Sequence, residues 1–204
     1  GRILPVLETM RKHYPSVVIS VDTFRSYIAR IVVRDYRVDM INDISAGEID
    51  PEMFDTIADL QVPYIMMHMP GTPKSMQASP RYNNVVTEIN DFFLNRIELA
   101  KQKGVKDIFL DPGFGFGKSL SHNYQLLQQL DFFLHLDFPI LVGVSRKSMI
   151  NQVLKIKAEE ALNGTSVVNT LALTNGATLL RVHDVKEAVE CCKIVYAHQN
   201  PNLL

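Results

Sequence analysis

With 204 residues, 47% hydrophobic and 21% charged, the chain has an ordinary globular composition and material for one sizeable core. A formal net charge of -1, with Lys and Arg scattered, leaves no basic footprint for nucleic acid or an acidic membrane surface, so neither is an expected partner. No apolar run approaches the roughly 20 residues that span a bilayer, and the only cysteines, Cys191 and Cys192, are adjacent, cannot staple distant segments, and fit a reducing, cytoplasmic setting.

The chain opens on an amphipathic helix, with Ile3, Leu7 and Met10 at helical spacing up to Tyr14. Pro15 and Ser16 break it, and Val17 to Val21 reads as a strand buried on both faces, ending at Asp22. A helix striped by Phe24, Ile28, Ile31 and Val32 follows, then a strand from Val38 to Ile41 that ends in Asn42 and Asp43. Residues 51 to 60 read as helix and Val62 to Met67 as strand. From Met69 to about Asn84 a Pro-rich loop exceeds the usual length of structureless connections, which makes it an expected lid. A long helix striped by Val85, Ile89, Phe92, Phe93, Ile97 and Ala100 ends at Gly104, and Asp107 to Leu110 is a buried strand. Then come a helix from Tyr124 to Phe133, a strand from Pro139 to Val144, a helix after Ser145-Arg146-Lys147-Ser148, and a helix from Glu159 to Asn175. A strand at Thr178 to Leu180 and a helix striped by Val185, Val189, Cys192 and Tyr196 close the chain. The reading is six strands alternating with helices.

That alternation predicts an α/β protein with a parallel sheet, either doubly wound or a closed barrel. Polar residues follow every strand: Asp22, Asn42, His68, Asp111, Ser145 with Lys147, and Arg181 with His183. A doubly wound sheet gathers ligand groups at one switch point, whereas a barrel collects them from all its strand ends, so the pattern favours a (β/α)8 TIM barrel. Such a barrel needs eight strands. The chain is therefore expected to lack the first two βα units and to make up the C-terminal three quarters of one barrel domain.

The densest chemistry lies in Asp111-Pro112-Gly113-Phe114-Gly115-Phe116-Gly117-Lys118. Three alternating glycines permit positive φ and close backbone approach, two Phe residues offer flat apolar faces, and a carboxylate stands at the strand end. The plainer reading is a tight turn with Asp111 capping the next helix. Asp22 could likewise cap its following helix, and Asn42-Asp43 could form a turn, although an amide suits a heteroaromatic edge that both donates and accepts. His68 lacks partners at metal-ligand spacing, so no zinc site is expected. Gly117-Lys118-Ser119 copies the tail of a phosphate-binding P-loop, but Pro112 stands where the first glycine belongs, which leaves an NTPase as a remote alternative. Ser145 to Ser148 offers hydroxyl, guanidinium, ammonium and helix-start N–H groups to an anion, and Arg181 and His183 alternate onto one side as a phosphate clamp.

Six segments in order resemble one family: Ser-Val-Asp-Thr at 20 to 23, Ile-Asn-Asp-Ile at 41 to 44, Met-His-Met at 67 to 69, Asp111 to Lys118, Ser145 to Ser148 and Arg181 to Val185. That family is dihydropteroate synthase, with its pterin-binding barrel, and the resemblance runs over nearly the whole chain. It implies a magnesium-assisted transferase of folate biosynthesis that joins p-aminobenzoate to 7,8-dihydropterin-6-ylmethyl diphosphate with loss of diphosphate, works as a homodimer and is a sulfonamide target. By the same resemblance Asp22, Asn42, Met67, Asp111 and Lys147 contact the pterin, with Asp22, Asp111 and Lys147 counted as catalytic. Arg181 and His183 hold the diphosphate, Phe116 packs on the p-aminobenzoate ring, and Ser148 takes its carboxylate. The expected metal-binding Asn precedes these residues in the family, so no metal ligand is expected within the chain. Two other readings remain: a methyltetrahydrofolate methyltransferase-type barrel, and a non-catalytic pterin-binding fragment.

Overall fold

The structure, a computed structural model, describes residues 2–72, 76 and 80–203. Residues 73–75 and 77–79, at the centre of the expected lid, lie outside the described residues, and the lid reading with them. Packing divides the chain into two units, Gly1–His68 with Phe93–Leu110, and Met69–Phe92 with Asp111–Leu204.

The first unit carries α1 (Leu4–His13), β1 (Ser20–Asp22), α2 (Ser26–Tyr36), β2 (Met40–Asp43), α3 (Met53–Leu60), β3 (Tyr64–Met67), the C-terminal half of α4 (Val85–Lys103) and most of β4 (Ile108–Asp111). The strands form one sheet in the order β1-β2-β3-β4, with parallel ladders pairing Val21 with Ile41 and Ile41 with Tyr64. All four residues of β3 are buried, the signature of a strand covered on both faces. Val32, Ile41, Met53, Tyr64, Phe93 and Leu110 have no exposed surface and make the core.

Three elements of this unit differ from expectation. In β1 the ladder begins only at Ser20, paired with Met40, so Val17 and Val18 run ahead of the sheet and are 41% and 72% exposed. In β2 the strand starts at Met40 and not at Val38, because the Val38 N–H still donates to Val32 O at 3.1 Å and finishes the end of α2. Arg37 makes that turn possible with φ of 52°. The buried face of α2 is Ser26, Ala29 and Val32, since Phe24 precedes the helix.

The second unit contains α5 (Leu120–Gln128), a 3-10 helix (Leu130–Leu136), β5 (Leu141–Val142), α6 (Ser148–Leu154), α7 (Leu162–Thr174), β6 (Leu179–Leu180) and α8 (Val185–Gln199). β5 and β6 pair in parallel, Leu141 with Leu179 and Val142 with Leu180. The helix read from Tyr124 to Phe133 is two elements, α5 and the 3-10 helix. The largest correction concerns α8. Its inward face is Ala188, Cys191 and Val195, while Val185, Val189 and Tyr196 of the expected stripe are 65%, 45% and 58% exposed. Two stripes one position apart share the helical period, and the one with the smaller side chains faces inward, where the Cys191 thiol reaches Ser166 O of α7 at 3.5 Å. Among the described residues the chain thus has six strands and eight α-helices.

Candidate active site

In the first unit, parallel register sets Asp22 at the end of β1 beside Asn42 near the end of β2. The Asn42 amide donates through Nδ2 to Asp22 Oδ1 at 2.8 Å, and its buried Oδ1 has no hydrogen-bond partner among the described residues. A buried carbonyl left without a donor is costly, so this atom is poised for a ligand N–H. Asp22 does not cap α2; the Ser26 N–H there donates to Asp50 Oδ2 at 2.7 Å. Alternation turns the next residue, Asp43, to the other side of β2, where it is fully buried. Its carboxylate accepts from Ser45 N and Gly47 N, both at 2.8 Å, from Ser45 Oγ at 2.7 Å and from the Tyr64 hydroxyl at 2.6 Å. Burial, reinforced by the Asp43 charge, pushes the Tyr64 phenol well above its usual range. This network went unseen in the sequence, where Asn42 and Asp43 are neighbours of similar type; only the two-residue alternation separates a ligand-facing amide from a buried structural carboxylate. Met67 and His68, 2% and 6% exposed, lie at the end of β3.

In the second unit the glycine loop takes the predicted form. Gly113, Gly115 and Gly117 have φ of 72°, 79° and 57°. A Cβ on Gly117 would stand 2.3 Å from Pro70 Cγ, so both conformation and space demand glycine there. Asp111 is not the cap of α5; that is Ser119, whose hydroxyl accepts from His122 N at 3.1 Å while His122 Nδ1 accepts from Ser119 N at 3.2 Å. Asp111 instead ends β4 at 6% exposure, and its Oδ1 accepts from Gly113 N at 2.8 Å.

Two ammonium groups serve this loop. Lys118 Nζ turns back to donate to Gly113 O at 2.9 Å and Phe116 O at 3.0 Å, a direction opposite to that of a P-loop lysine reaching for phosphate. Lys147 Nζ donates to Phe114 O and lies 4.9 Å from the centre of the Phe116 ring. Burial pushes the Asp111 carboxyl up, against the pull of Lys147, the Gly113 N–H, Lys118 and Arg181. Burial also drives Lys118 down to about 7 and lowers Lys147, with Asp111 resisting in both cases. One buried carboxylate is therefore matched by a buried amine, Lys118, and a half-buried one, Lys147, both holding their protons less tightly than free lysine. Phe116 is half-buried, and a cavity of about 250 Å³ is lined by Gly115, Lys118, Ser119, Asn123 and Ser148, among others. Ser148 is the exposed first residue of α6.

After β5 and β6 the two chain segments stay cross-linked. The Arg146 guanidinium, expected to face an anion, instead grips Asp184 with two bonds of 2.9 and 2.7 Å and holds the Asp184 carboxyl below its usual range. Arg181 and His183 are exposed on the β6 side. Sequence reasoning thus placed the carboxylate, amide and lysine at strand ends, whereas Arg146, read as facing an anion, pairs with Asp184. Among the described residues no group of three or more His, Cys, Asp or Glu gathers as a metal cage.

Comparison with known proteins supplies the class. A family model described as pterin binding enzyme matches residues 1–183. The dihydropteroate synthase of Escherichia coli K12 is 42% identical over 198 residues, covering 96% of this chain and 69% of that protein. The Yersinia pestis dihydropteroate synthase, solved with a sulfonamide drug complex, superimposes with a TM-score of 0.92 at 40% identity, over 98% of this chain and 73% of that one. The Xanthomonas albilineans enzyme, solved with 4-aminobenzoic acid, gives 0.88 at 38% identity, over 96% and 69%. The chain belongs to the pterin-binding enzyme family, with six strands of its (β/α)8 barrel fold. Within that family it groups with the dihydropteroate synthases, transferases of folate biosynthesis.

Proposed function

We infer that the chain performs the synthase reaction with its own strand-end residues: the amine of p-aminobenzoate attacks the exocyclic methylene of 7,8-dihydropterin-6-ylmethyl diphosphate, and the carbon–oxygen bond breaks. The bonding pair leaves with the diphosphate, and the new secondary amine loses its extra proton. The observation that carries this reading is the buried Asp111 flanked by Lys147 and Lys118 at the head of the glycine loop. A carboxylate in that setting accepts from the amino group and adjacent ring N–H of a pterin, and Lys147 donates to a ring acceptor. Asn42 meets a ring N–H with its unpartnered Oδ1, held in place by Asp22. Met67 completes the pterin contacts in this proposal.

The leaving diphosphate gains charge as the bond breaks, and Arg181 with His183 stabilises it. Phe116 provides a face for the p-aminobenzoate ring and Ser148 a hydroxyl for its carboxylate; the cavity lined by Ser148 supports the placement of that hydroxyl. Holding both substrates in order replaces a bimolecular encounter by a positioned one. Magnesium, arriving with the diphosphate, would add positive charge on the leaving-group side. Two free thiols agree with a reducing cytoplasm, and the exposed apolar stripe of α8 supports a homodimer. No helix among the described residues is long and apolar enough to cross a membrane.

Calorimetric titration with a pterin, followed by turnover with both substrates, tests the reading. Pterin binding with turnover is the expected result; binding without turnover would reduce the function to recognition, and absence of binding would overturn it. The methyltransferase alternative has no use for the Phe116 and Ser148 elements, and p-aminobenzoate consumption separates it from the synthase.

A further inference from the structure

We propose that Ser145 is a positioning residue: its buried hydroxyl fixes the His183 imidazole in the tautomer that carries its proton on Nε2, leaving that N–H to donate to the diphosphate. The β5–β6 register pairs Leu141 with Leu179 and Val142 with Leu180, and Arg181 N donates to Val142 O at 2.9 Å. Beyond the strands the same register continues through side chains. Ser145 Oγ lies 2.9 Å from His183 Nδ1 and accepts from His183 N at 3.2 Å. The following pair, Arg146 and Asp184, forms the two-bond brace already described.

The tautomer follows from counting protons. A serine hydroxyl has one hydrogen and two lone pairs, and one lone pair is taken by the His183 backbone N–H. If Nδ1 bore a proton, the hydroxyl would accept from it as well, and its own hydrogen would need another acceptor. Among the described residues no other hydrogen bond of Ser145 Oγ is formed, and Ser145 is only 5% exposed, so water offers little relief. An unmade hydrogen bond at a buried hydroxyl is the costlier arrangement, so the hydroxyl donates to Nδ1. The neutral imidazole is then protonated at Nε2 on the exposed His183. The brace beside it keeps the two segments from sliding. The opposite tautomer would present a lone pair to an anion, which repels. The consequence for the diphosphate rests on the function proposed above; the tautomer itself does not.

Nitrogen-15 histidine spectra of the chain, with His183 assigned by comparison with His183→Asn, read the tautomer at a pH where the imidazole is neutral. The wild-type chain is expected to show His183 wholly as the Nε2–H form; an Nδ1–H pattern overturns the proposal without any serine variant. Ser145→Ala is expected to give a mixture of tautomers and Ser145→Thr to restore the single form, whereas an unchanged tautomer in Ser145→Ala overturns it. Titration with inorganic diphosphate should show affinity falling about threefold to tenfold in Ser145→Ala, the span of roughly one net hydrogen bond, with recovery in Ser145→Thr. If the tautomer shifts while diphosphate affinity does not, His183 does not hold the anion, and the positioning role is overturned together with that part of the proposed function.

Discussion

At the scale of single residues, burial decides what each charge can do. Asp111→Asn preserves shape but replaces a charged acceptor by an amide with a donor on one side, so two pterin N–H groups meet one acceptor and one donor. Loss of a hydrogen bond to a charged group costs about 1.5–3 kcal/mol, and calorimetry should show pterin affinity falling at least about tenfold in a folded variant. Unchanged affinity would remove Asp111 from the pterin site. Lys118 gives a second test, through pH. Burial lowers its pKa from 10.5 to about 7, so in the window between those values the unfolded chain binds more protons than the native one. Stability should therefore rise with pH across that window by up to about 1.4 kcal/mol per unit for this one proton, and Lys147, lowered in the same direction, adds to it. Lys118→Met should flatten the rise by one proton's worth, read from urea unfolding at a series of pH values; the same slope in the variant would show that Lys118 is charged throughout. The strand-end place of Asp111 was legible in the sequence, because an apolar run precedes it, a Gly-rich loop follows and polar residues recur after the other strands. Lys118 was not: a Gly-Lys-Ser tail looks alike whether the ammonium reaches outward to phosphate or back to the Gly113 and Phe116 carbonyls.

At the scale of elements, strand ends were readable to within two residues and helix faces less so. β2 starts later than its apolar run because the end of α2 claims the Val38 N–H, a hydrogen-bond competition that residue type does not encode. Its last two residues then split by alternation, Asn42 beside Asp22 and Asp43 into the network with Ser45, Gly47 and Tyr64. That network anchors the end of β2, so Tyr64→Phe should destabilise by about 1–3 kcal/mol by stripping a donor from a buried carboxylate, measured as a lower denaturation midpoint with unchanged slope. A drop in pterin affinity beyond that seen at other equally destabilising core sites would show that Asn42 is aligned through Asp43. The glycine loop offers the complementary case. Gly117→Ala places a Cβ in a positive-φ position 2.3 Å from Pro70 Cγ, so the loop must move, and Phe116 with it. Binding of p-aminobenzoate in the presence of a pterin should weaken more than binding of the pterin itself; equal losses would mean that Phe116 does not face that ring.

At the scale of the molecule, the order of strands and helices was legible because βα alternation and a polar residue after every strand constrain one another; neither alone separates a barrel from a doubly wound sheet. What the sequence left open is which helix faces are covered. On α8 the apolar side chains Val185, Val189 and Tyr196, on one side of the helix, are 65%, 45% and 58% exposed, and on α7 Val167 and Leu171 are 52% and 46% exposed. Val167 with Leu171, and Val185 with Val189, lie four residues apart, so each pair forms a short ridge along its helix, and α7 and α8 pack on each other in the second unit. Exposed apolar ridges on two helices that pack on each other are a usual mark of an interface, and in a symmetric pair the same ridges serve both subunits. The chain should therefore sediment as a dimer at micromolar concentration. A charge placed in the stripe would have to be buried without a partner in that dimer, whereas in a monomer it would stay in water. Val189→Asp should shift the chain to monomer in sedimentation equilibrium, while circular dichroism and pterin affinity stay as in the wild type, since Val189 belongs to neither the inward face of α8 nor the strand-end residues. A dimer that survives both Val189→Asp and Tyr196→Asp would place the interface on another face and leave the α7–α8 stripe without a role.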